Sequence, residues 1–204
     1  SDEIERREHK NLATRLDRAG FSEAVTFEDF DWDAPVTFDR DRVRDLFGLG
    51  FLDCHEDVLF LGPVGVGKTF LAHALGHAAC RRGYAVLALR ADRMLKTLTH
   101  ARLDNSHEVE LRKLLAADLL IVDDFGLDVM SPTESRDAYE IFTERHRAGS
   151  IIVTSNRGPD EWLATFADPV RAQSAIDRFT SNAYDLTIEG ESYRPRQKPR
   201  LQTG

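Results

Sequence analysis

A glycine-rich octapeptide between an apolar run and a helical segment constrains the fold more than any other feature of this sequence. It consists of Gly62, Pro63, Val64, Gly65, Val66, Gly67, Lys68 and Thr69, which match the pattern G-x-x-x-x-G-K-[ST]. An apolar run over 58–61 precedes it, and a helical pattern over 68–82 follows it and stops at Gly83. The sequence therefore predicts a strand, a phosphate-binding loop and a helix in that order.

The residue types in this loop suit a nucleoside triphosphate and its magnesium ion. Glycines permit the tight turns that direct backbone N–H groups at phosphates, and the N-terminus of the following helix adds positive potential. Lys68 is placed to hold the β- and γ-phosphates, and the Thr69 hydroxyl is placed to bind Mg²⁺. We therefore predict ATP and Mg²⁺ as cofactors and an ATPase activity; the alternative is a glycine-rich turn with a solvated lysine.

Four apolar runs alternate with helical segments along the chain. The runs cover 58–61, 84–89, 119–122 and 150–153, and the helical segments cover 68–82, 92–100, 106–117 and 131–147. Continuous apolar strands separated by helices are typical of a parallel sheet covered on both faces. The predicted fold class is α/β, a P-loop NTPase core with a parallel β-sheet sandwiched by helices. A helix over 4–19, a loop over 21–35 and a helix over 43–52 are predicted to precede it.

Two adjacent carboxylates follow the apolar run over 119–122. Asp123 and Asp124 thus lie at the C-terminal end of a predicted strand, the edge at which open α/β sheets bind ligands. Asp123 fits the carboxylate that coordinates magnesium, and Asp124 fits a second one that orients and polarises the attacking water. The alternative is that these acids begin a loop or cap a helix.

Further segments carry a resemblance to a known family. The run over 151–156 resembles the sensor-1 strand of AAA+ ATPases and ends at Asn156, and the segment over 175–179 resembles the one that carries their arginine finger, here Arg178. Together with the loop and the carboxylates, they look like the IstB family of insertion-sequence helper ATPases, relatives of the DnaC helicase loaders. The resemblance covers about residues 16–194 and is carried by 51–52, 83–84, 119–126, 154–157, 161–162, 177–178 and 190–194.

Two positions depart from the pattern of that family. Phe70 replaces the histidine expected after the loop threonine, and it joins the candidate nucleotide contacts. Asp124 is shorter than the glutamate usual in AAA+ proteins, a change that can slow hydrolysis.

The resemblance implies an AAA+ core with little or no lid domain. Such a core assembles with ATP on duplex DNA and recruits or stimulates the transposase of the same element. The resemblance also implies that Asn156 contacts the γ-phosphate or its water, and that Arg178 reaches the ATP of a neighbouring subunit in a homo-oligomer. Arg194 resembles a sensor-2 contact to the phosphates, with a flexible basic tail as the alternative.

Aromatic and basic residues outside these motifs are candidate ligand contacts. Phe27 and Phe30 lie in the predicted loop and are placed to stack on adenine or ribose, although aromatic loops also simply cover apolar surface. The candidate DNA contacts are Arg93, Lys96 and Arg102, from a basic set that also includes Arg90 and His100. A solvated helix face is the alternative reading of that set.

Two other functions stay open. A DnaC-like replicative helicase loader would prefer single-stranded DNA and a helicase partner. A small-molecule kinase would act as a monomer without need of Arg178, but nothing in the sequence marks an acceptor pocket.

Charge and hydropathy limit the partners of the chain. The formal net charge of -8 argues against a protein that coats nucleic acid through overall charge, although a local basic surface can still bind phosphates. No apolar run approaches the roughly 18 residues of a membrane span and no secretory leader is visible, which predicts no membrane partner and a cytoplasmic location.

The predicted organisation has three parts. Residues 1–35 form an N-terminal helix and loop, residues 36–192 form the ATPase core, and residues 193–204 form a basic tail. The chain begins at Ser1 without methionine, as expected of a trimmed protein whose missing N-terminal region carries a further function.

Overall fold

The computed structural model describes residues 2–21 and 24–192, and within them it places seven strands and nine α-helices. The strands are β1 (Val36–Thr37), β2 (Asp57–Leu61), β3 (Val86–Arg90), β4 (Leu119–Asp123), β5 (Ser150–Ser155), β6 (Ala183–Thr187) and β7 (Glu189–Gly190). The helices are α1 (Asp2–Ala19), α2 (Arg40–Leu46), α3 (Gly50–Asp53), α4 (Lys68–Arg81), α5 (Ala91–Ala101), α6 (His107–Ala116), α7 (Pro132–Arg145), α8 (Pro159–Trp162) and α9 (Pro169–Thr180). Single 3-10 turns cover Phe27–Asp29 and Leu163–Thr165.

The strands β2 to β6 form one parallel sheet in the order β3-β4-β5-β2-β6. In its centre, Ile152 on β5 pairs with Ile121 on β4 and with Val58 on β2. The strands β4 and β5 are buried along their whole length, because helices cover both faces. The predicted α/β class and helix-covered parallel sheet are therefore confirmed.

The two faces of the sheet belong to two hydrophobic cores. Val58 and Phe60 on β2 pack into the core that contains residues of α1 to α4, whereas Leu59 packs into the core that contains residues of α5 to α9. This alternation follows from the strand geometry, in which successive side chains point to opposite faces. With all five strands parallel, their C-terminal ends meet along one edge.

The predicted continuous helix over 43–52 is wrong, because the segment contains two short helices. The N–H of Phe47 caps α2 by donating to carbonyls of that helix, and Leu49 then adopts a left-handed conformation with a φ of 63°. The side chains of Leu49, Phe51 and Leu52 are all buried in the core shared with α4. A straight helix would point these three side chains in different directions around its axis. The break between the two helices lets all three enter the core.

The sequence analysis missed α9, β6 and the short pair β1 and β7. The helix α9 begins with signals that were available, since Pro169 is its first residue and the Asp168 carboxylate accepts the N–H groups of Val170 and Arg171. Only Leu186 is buried in β6, which is an edge strand and so lacks the continuous apolar run of the central strands. The strands β1 and β7 pair antiparallel.

The structure describes α1, which precedes the predicted core, but not the predicted basic tail that follows it. The helix α1 lies against β3 and α4, where the Arg15 guanidinium donates to the Cys80 carbonyl over 3.3 Å. The predicted basic tail, 193–204, lies outside the described residues together with Arg194. Over 2–21 and 24–192, no helix has both the length and the apolar character needed to cross a bilayer.

Two buried ionisable residues, Arg145 and Asp57, hold the N-terminal ends of the strands. The Arg145 guanidinium, 1% exposed, donates to the carbonyl groups of Leu114, Leu115, Ala117, Asp118 and Ser150. Asp57, 3% exposed, accepts the N–H of Ile151 over 2.7 Å. Burial raises the pKa of Asp57 to about 7, although the hydrogen bonds from Ile151 and Asn182 and the charge of Arg145 act in the opposite direction.

The raised pKa of Asp57 predicts a pH dependence of stability. The folded chain keeps a proton that the unfolded chain, with an aspartate pKa of about 4, releases, so the free energy of unfolding falls as the pH rises from about 4 to about 7. Asp57→Asn removes this titration but keeps an oxygen that can accept the Ile151 N–H. Urea unfolding should therefore show the variant gaining stability relative to wild type between about pH 5 and about pH 8, by a few kcal/mol at most. The exposed Asp160→Asn is the control, and equal pH slopes for wild type and Asp57→Asn would contradict the prediction.

Candidate nucleotide-binding site

A cavity of about 750 Å³ lies at the edge where the parallel strands end. Its lining comes from the glycine-rich loop and the start of α4 (Val64 to Phe70, and His73), from the strand ends and the loop after β4 (Arg90, Asp123, Asp124, Leu127 and Asn156), and from the N-terminal segment (Val25, Asp29, Phe30, Asp31, Ala34 and Val36). Most of the sequence-predicted site residues thus meet in one place. The N-terminal segment was predicted to contribute only its two phenylalanines.

The glycine-rich loop has the conformation that glycines were predicted to allow. Gly65 and Gly67 have φ values of 83° and 102°, which residues with a Cβ rarely adopt. A Cβ at Gly65 would also approach the Ser192 hydroxyl oxygen to 2.1 Å. Because α4 begins at Lys68, the N–H groups of its first turn have no partner within the helix and lie at the cavity. This is the arrangement that binds phosphate at helix N-termini.

The Lys68 ammonium lies against the loop itself. Its Nζ donates to the carbonyls of Gly62 and Pro63 over 2.7 and 2.6 Å, and the residue is 6% exposed. Gly62 and Pro63 do not line the cavity, so their part in the site is to position this lysine. The ammonium is thus held beside the phosphate-binding loop.

Asp123 joins three elements at the cavity. Its Oδ1 accepts the Thr69 hydroxyl of α4 over 2.7 Å and also the Thr154 hydroxyl of β5. A hydroxyl and a carboxylate side by side are the hard oxygen ligands that Mg²⁺ prefers, and Mg²⁺ commonly completes its shell with phosphate oxygens and waters. Within the described residues, no group of three or more His, Cys, Asp or Glu forms a metal site. Thr69 and Asp123 supply oxygen atoms of the kind that fit a magnesium ion.

Asp124 turns away from the strand that delivers it. Its φ is 57°, its N–H donates to the Thr154 hydroxyl oxygen over 2.9 Å, and its Oδ2 lies 3.2 Å from Nη1 of Arg90. Arg90 also pairs with Asp92, and that hydrogen bond is the main cause that raises the pKa of Arg90. Arg90 is a site residue that the sequence analysis placed only in the basic helix. The signal for its position at the sheet edge was that Arg90 directly follows the predicted strand over 84–89; the structure pairs it in register with Asp123.

Asn156 lies just after β5 and lines the cavity. Its side-chain Oδ1 is buried and has no hydrogen-bond partner among the described residues. A buried amide oxygen of this kind can accept a hydrogen bond from a bound water. The position therefore suits a contact to a water molecule beside the phosphates.

The two predicted aromatic contacts have different surroundings. Phe30 lines the cavity and contacts the ring of Phe70, with 5.7 Å between the ring centroids. Phe27 does not line it and instead packs on Trp32 and Phe47 at 4.9 and 4.3 Å. Of the two, Phe30 is the residue placed to contact a nucleotide.

The remaining candidates lie away from the cavity. Arg178 lies on α9, where its guanidinium donates to the carbonyl and the hydroxyl of Ser174, and it does not line the cavity. Arg93 and Lys96 are exposed on α5. Arg102 follows α5 and pairs with the fully buried Asp137 of α7.

Sequence comparisons place this geometry among known proteins. The profile of the IstB-like ATP binding protein family matches residues 1–201. A putative ATP-binding protein of an insertion sequence from Mycobacterium tuberculosis is 41% identical over 199 residues, which are 97% of this chain and 79% of that protein. The putative ATP-binding protein of insertion sequence IS21 from Pseudomonas aeruginosa is 38% identical over 192 residues, 94% of this chain and 72% of that protein.

Solved structures give the same fold. The replication initiator DnaA bound to AMPPCP and single-stranded DNA superposes with a TM-score of 0.65 at 23% identity, over 81% of this chain and 49% of that one. The DnaC helicase loader superposes with a TM-score of 0.64 at 19% identity, over 72% of this chain and 86% of that one. At these identities the likeness concerns the fold alone, and it agrees with the predicted α/β core.

The position of Lys68 predicts the effect of removing its ammonium. Lys68→Ala should weaken binding of a non-hydrolysable ATP analogue by on the order of 100-fold or more, because charge-assisted hydrogen bonds to phosphate are lost. Isothermal titration calorimetry measures this affinity. The control is Lys113→Ala on α6, an exposed lysine paired with Glu110. Unchanged affinity in Lys68→Ala, with the fold intact by thermal melting, would show that the loop does not hold the phosphates.

Proposed function

The chain belongs to the IstB-like family of ATP-binding proteins, and from that premise we propose that it is a magnesium-dependent ATPase that assembles on duplex DNA and assists a transposase. The assistance consists of preparing the target site and recruiting the transposase of the same element. The relatives named above are ATP-binding proteins of insertion sequences, which favours this role over that of a helicase loader.

The observation that carries the ATPase proposal is the meeting of Thr69, Asp123 and Thr154 beside Asp124. Thr69 and Asp123 are the residues that would hold magnesium, which neutralises charge on the β- and γ-phosphate oxygens when bound. Lys68 leaves the carbonyls of Gly62 and Pro63 and pairs with the phosphates instead. These residues bind and orient the triphosphate without forming a covalent bond to it.

The water-activating role falls to Asp124 and Asn156. Asp124 accepts a hydrogen bond from the attacking water through a carboxylate oxygen, which requires that Arg90 yields part of its contact with that group. Asn156 accepts a second hydrogen bond from the same water through its buried Oδ1. Two acceptors fix the direction of the water lone pair toward the γ-phosphate.

The proposed DNA contacts lie on α5. Arg93 and Lys96 are exposed there and are available to phosphates, whereas the guanidinium of Arg102 already pairs with Asp137. A net charge of -8 means that this contact must be local. Because such contacts release counterions, binding should weaken steeply with salt.

Arg178 is proposed to act in trans. It lies on α9 outside the lining of its own cavity, so its guanidinium would complete the ATP site of a neighbouring copy in a homo-oligomer. Its side chain is half-buried and rests on Ser174, which holds it at the surface of the helix. A cation supplied to the transition state in this way accelerates phosphoryl transfer.

Asp124→Asn tests the assignment of the water-activating carboxylate. The variant should bind ATP with nearly wild-type affinity but release phosphate slower by on the order of 100-fold or more, because an amide is a poor general base. Steady-state phosphate release and calorimetry measure the two effects separately. Asp128→Asn, an exposed acid in the same loop, is the control. Turnover at the wild-type rate in Asp124→Asn would move the catalytic role to another residue.

Assembly on DNA is the test of the function as a whole. Mass photometry with duplex or single-stranded DNA, each with ATP, ADP or no nucleotide, should show large ATP-dependent assemblies on duplex only. Assembly on single strands alone would favour the helicase loader, and a monomer under all conditions would overturn the proposal. In calorimetry Arg178→Ala should still bind ATP, whereas phosphate release with duplex DNA should show that it loses assembly-stimulated hydrolysis; Arg171→Ala on the same helix should retain that hydrolysis.

A further inference from the structure

The tryptophan that ends α8, Trp162, packs against the loop after β4. It is fully buried, and its ring stands nearly perpendicular to that of Phe125, at 82°, with 4.9 Å between the centroids. A Cβ at Gly126 would approach the Trp162 ring to 2.6 Å. Phe125 and Gly126 directly follow Asp124, so the indole lies on the segment that carries the proposed water-activating carboxylate. Large buried rings are common in cores, so the polar atom of this one decides whether it has a further role.

The indole N–H of Trp162 is shared between two acceptors, one on each side of Asn156. It donates to the Ser155 hydroxyl oxygen over 3.1 Å and to the Arg157 carbonyl over 2.9 Å. A single acceptor would satisfy a buried indole N–H. Both acceptors here belong to the chain neighbours of the residue that is proposed to accept a hydrogen bond from the attacking water.

The Ser155 hydroxyl connects this indole to the segment after Asp124. It donates to the Phe125 carbonyl over 2.6 Å, and it accepts the N–H of Arg157 over 3.1 Å in addition to the indole N–H. A hydroxyl has one hydrogen to donate and two lone pairs, so all of its hydrogen-bonding capacity is used. Buried networks that are fully satisfied are rigid. One set of hydrogen bonds therefore holds the residue after Asp124 together with the residues on both sides of Asn156.

The side chain of Asn156 depends on this support. The pairing of β5 with β2 ends at Ser155, so Asn156 lies beyond the sheet, in a bend. Its Oδ1 is buried and has no hydrogen-bond partner among the described residues, so no hydrogen bond at that atom fixes its direction. The direction of Oδ1 therefore depends on the backbone to either side, which is the backbone that Ser155 and Trp162 hold.

We propose that Trp162 is a positioning residue for ATP hydrolysis, whose indole N–H holds the backbone around Asn156 so that Oδ1 of Asn156 reaches the attacking water. The inference rests on the proposed ATPase function and adds a residue that touches neither nucleotide nor water. Trp162 does not line the cavity, so it acts through its neighbours. A displacement of about 1 Å at a group that orients a reactant can slow a reaction by on the order of 100-fold. Trp162 thus affects turnover and leaves ATP binding to Lys68 and Thr69.

Removal of the indole N–H tests this role. Trp162→Phe keeps an aromatic ring in the core but has no N–H to donate. With saturating MgATP and duplex DNA, phosphate release should slow by on the order of 10-fold or more, because Asn156 loses its alignment. Calorimetry should show an affinity for a non-hydrolysable ATP analogue within about two-fold of wild type, since the loss falls on kcat.

Two further proteins separate the hydrogen bond from core packing. Replacement of the Trp162 indole by benzothiophene keeps nearly the same shape with sulfur in place of the N–H, and it should show the same loss of turnover without the cavity that phenylalanine leaves. Phe142→Leu is the packing control, because the Phe142 ring also contacts Phe125 and Phe179 but has no polar atom. It should lower the melting temperature and keep wild-type turnover at temperatures where it is folded.

A double-mutant cycle with Asn156→Ala shows whether Trp162 acts through Asn156. Asn156→Ala alone should slow phosphate release, and adding Trp162→Phe should slow it by no more than about two-fold further, because the group to be positioned is already absent. An equal loss in both backgrounds, or wild-type turnover in the benzothiophene protein, would overturn the inference and leave the proposed function standing. Wild-type turnover in Asn156→Ala would overturn it together with the proposed water contact. If wild type releases no phosphate, the proposed ATPase function fails and this inference fails with it.

Discussion

The hydrogen bonds that Asp123 accepts from Thr69 and Thr154 are the contacts on which the rest of the site depends. They tie α4, β4 and β5 together at the edge of the sheet. Thr154 also accepts the N–H of Asp124, so the same hydroxyl sets the positions of both carboxylates. A shift of β5 against β4 would therefore disturb the proposed magnesium ligand and the proposed water-activating group at once. The register of this buried parallel sheet therefore determines the positions of the groups proposed to act on the nucleotide.

Arg90 connects the nucleotide cavity to the proposed DNA surface. Its guanidinium pairs with Asp124 at the cavity, and the residue itself immediately precedes the first turn of α5. A site that holds two carboxylates and receives a triphosphate accumulates negative charge, and Arg90 offsets part of it. The cation that neutralises Asp124 and the cations proposed to meet DNA phosphates thus lie on one continuous stretch of chain.

Local patterns account for the parts of the site that the sequence predicts. The sequence predicts the positions of Lys68, Thr69, Asp123 and Asp124, because each lies beside a strand or a helix with a strong apolar pattern. The sequence does not predict the ion pair of Arg90 with Asp124 or the position of Phe27 outside the cavity. They depend on packing between segments far apart in sequence. The sequence analysis misses the edge strand β6 for a different reason, because this strand lacks a continuous apolar run.

The pairing of β1 with β7 bears on the order in which the sheet and the nucleotide cavity form as the chain folds. Val36 lines the cavity and pairs with Gly190, and the Ile188 N–H reaches the Leu61 carbonyl just before the glycine-rich loop. Contacts between such distant segments form slowly, since loop closure must precede them. During synthesis the central strands can pair while the ribosome still holds residues near 190. The cavity wall is then among the last parts to close, so a nascent chain can pair its central strands before it is able to hold a nucleotide.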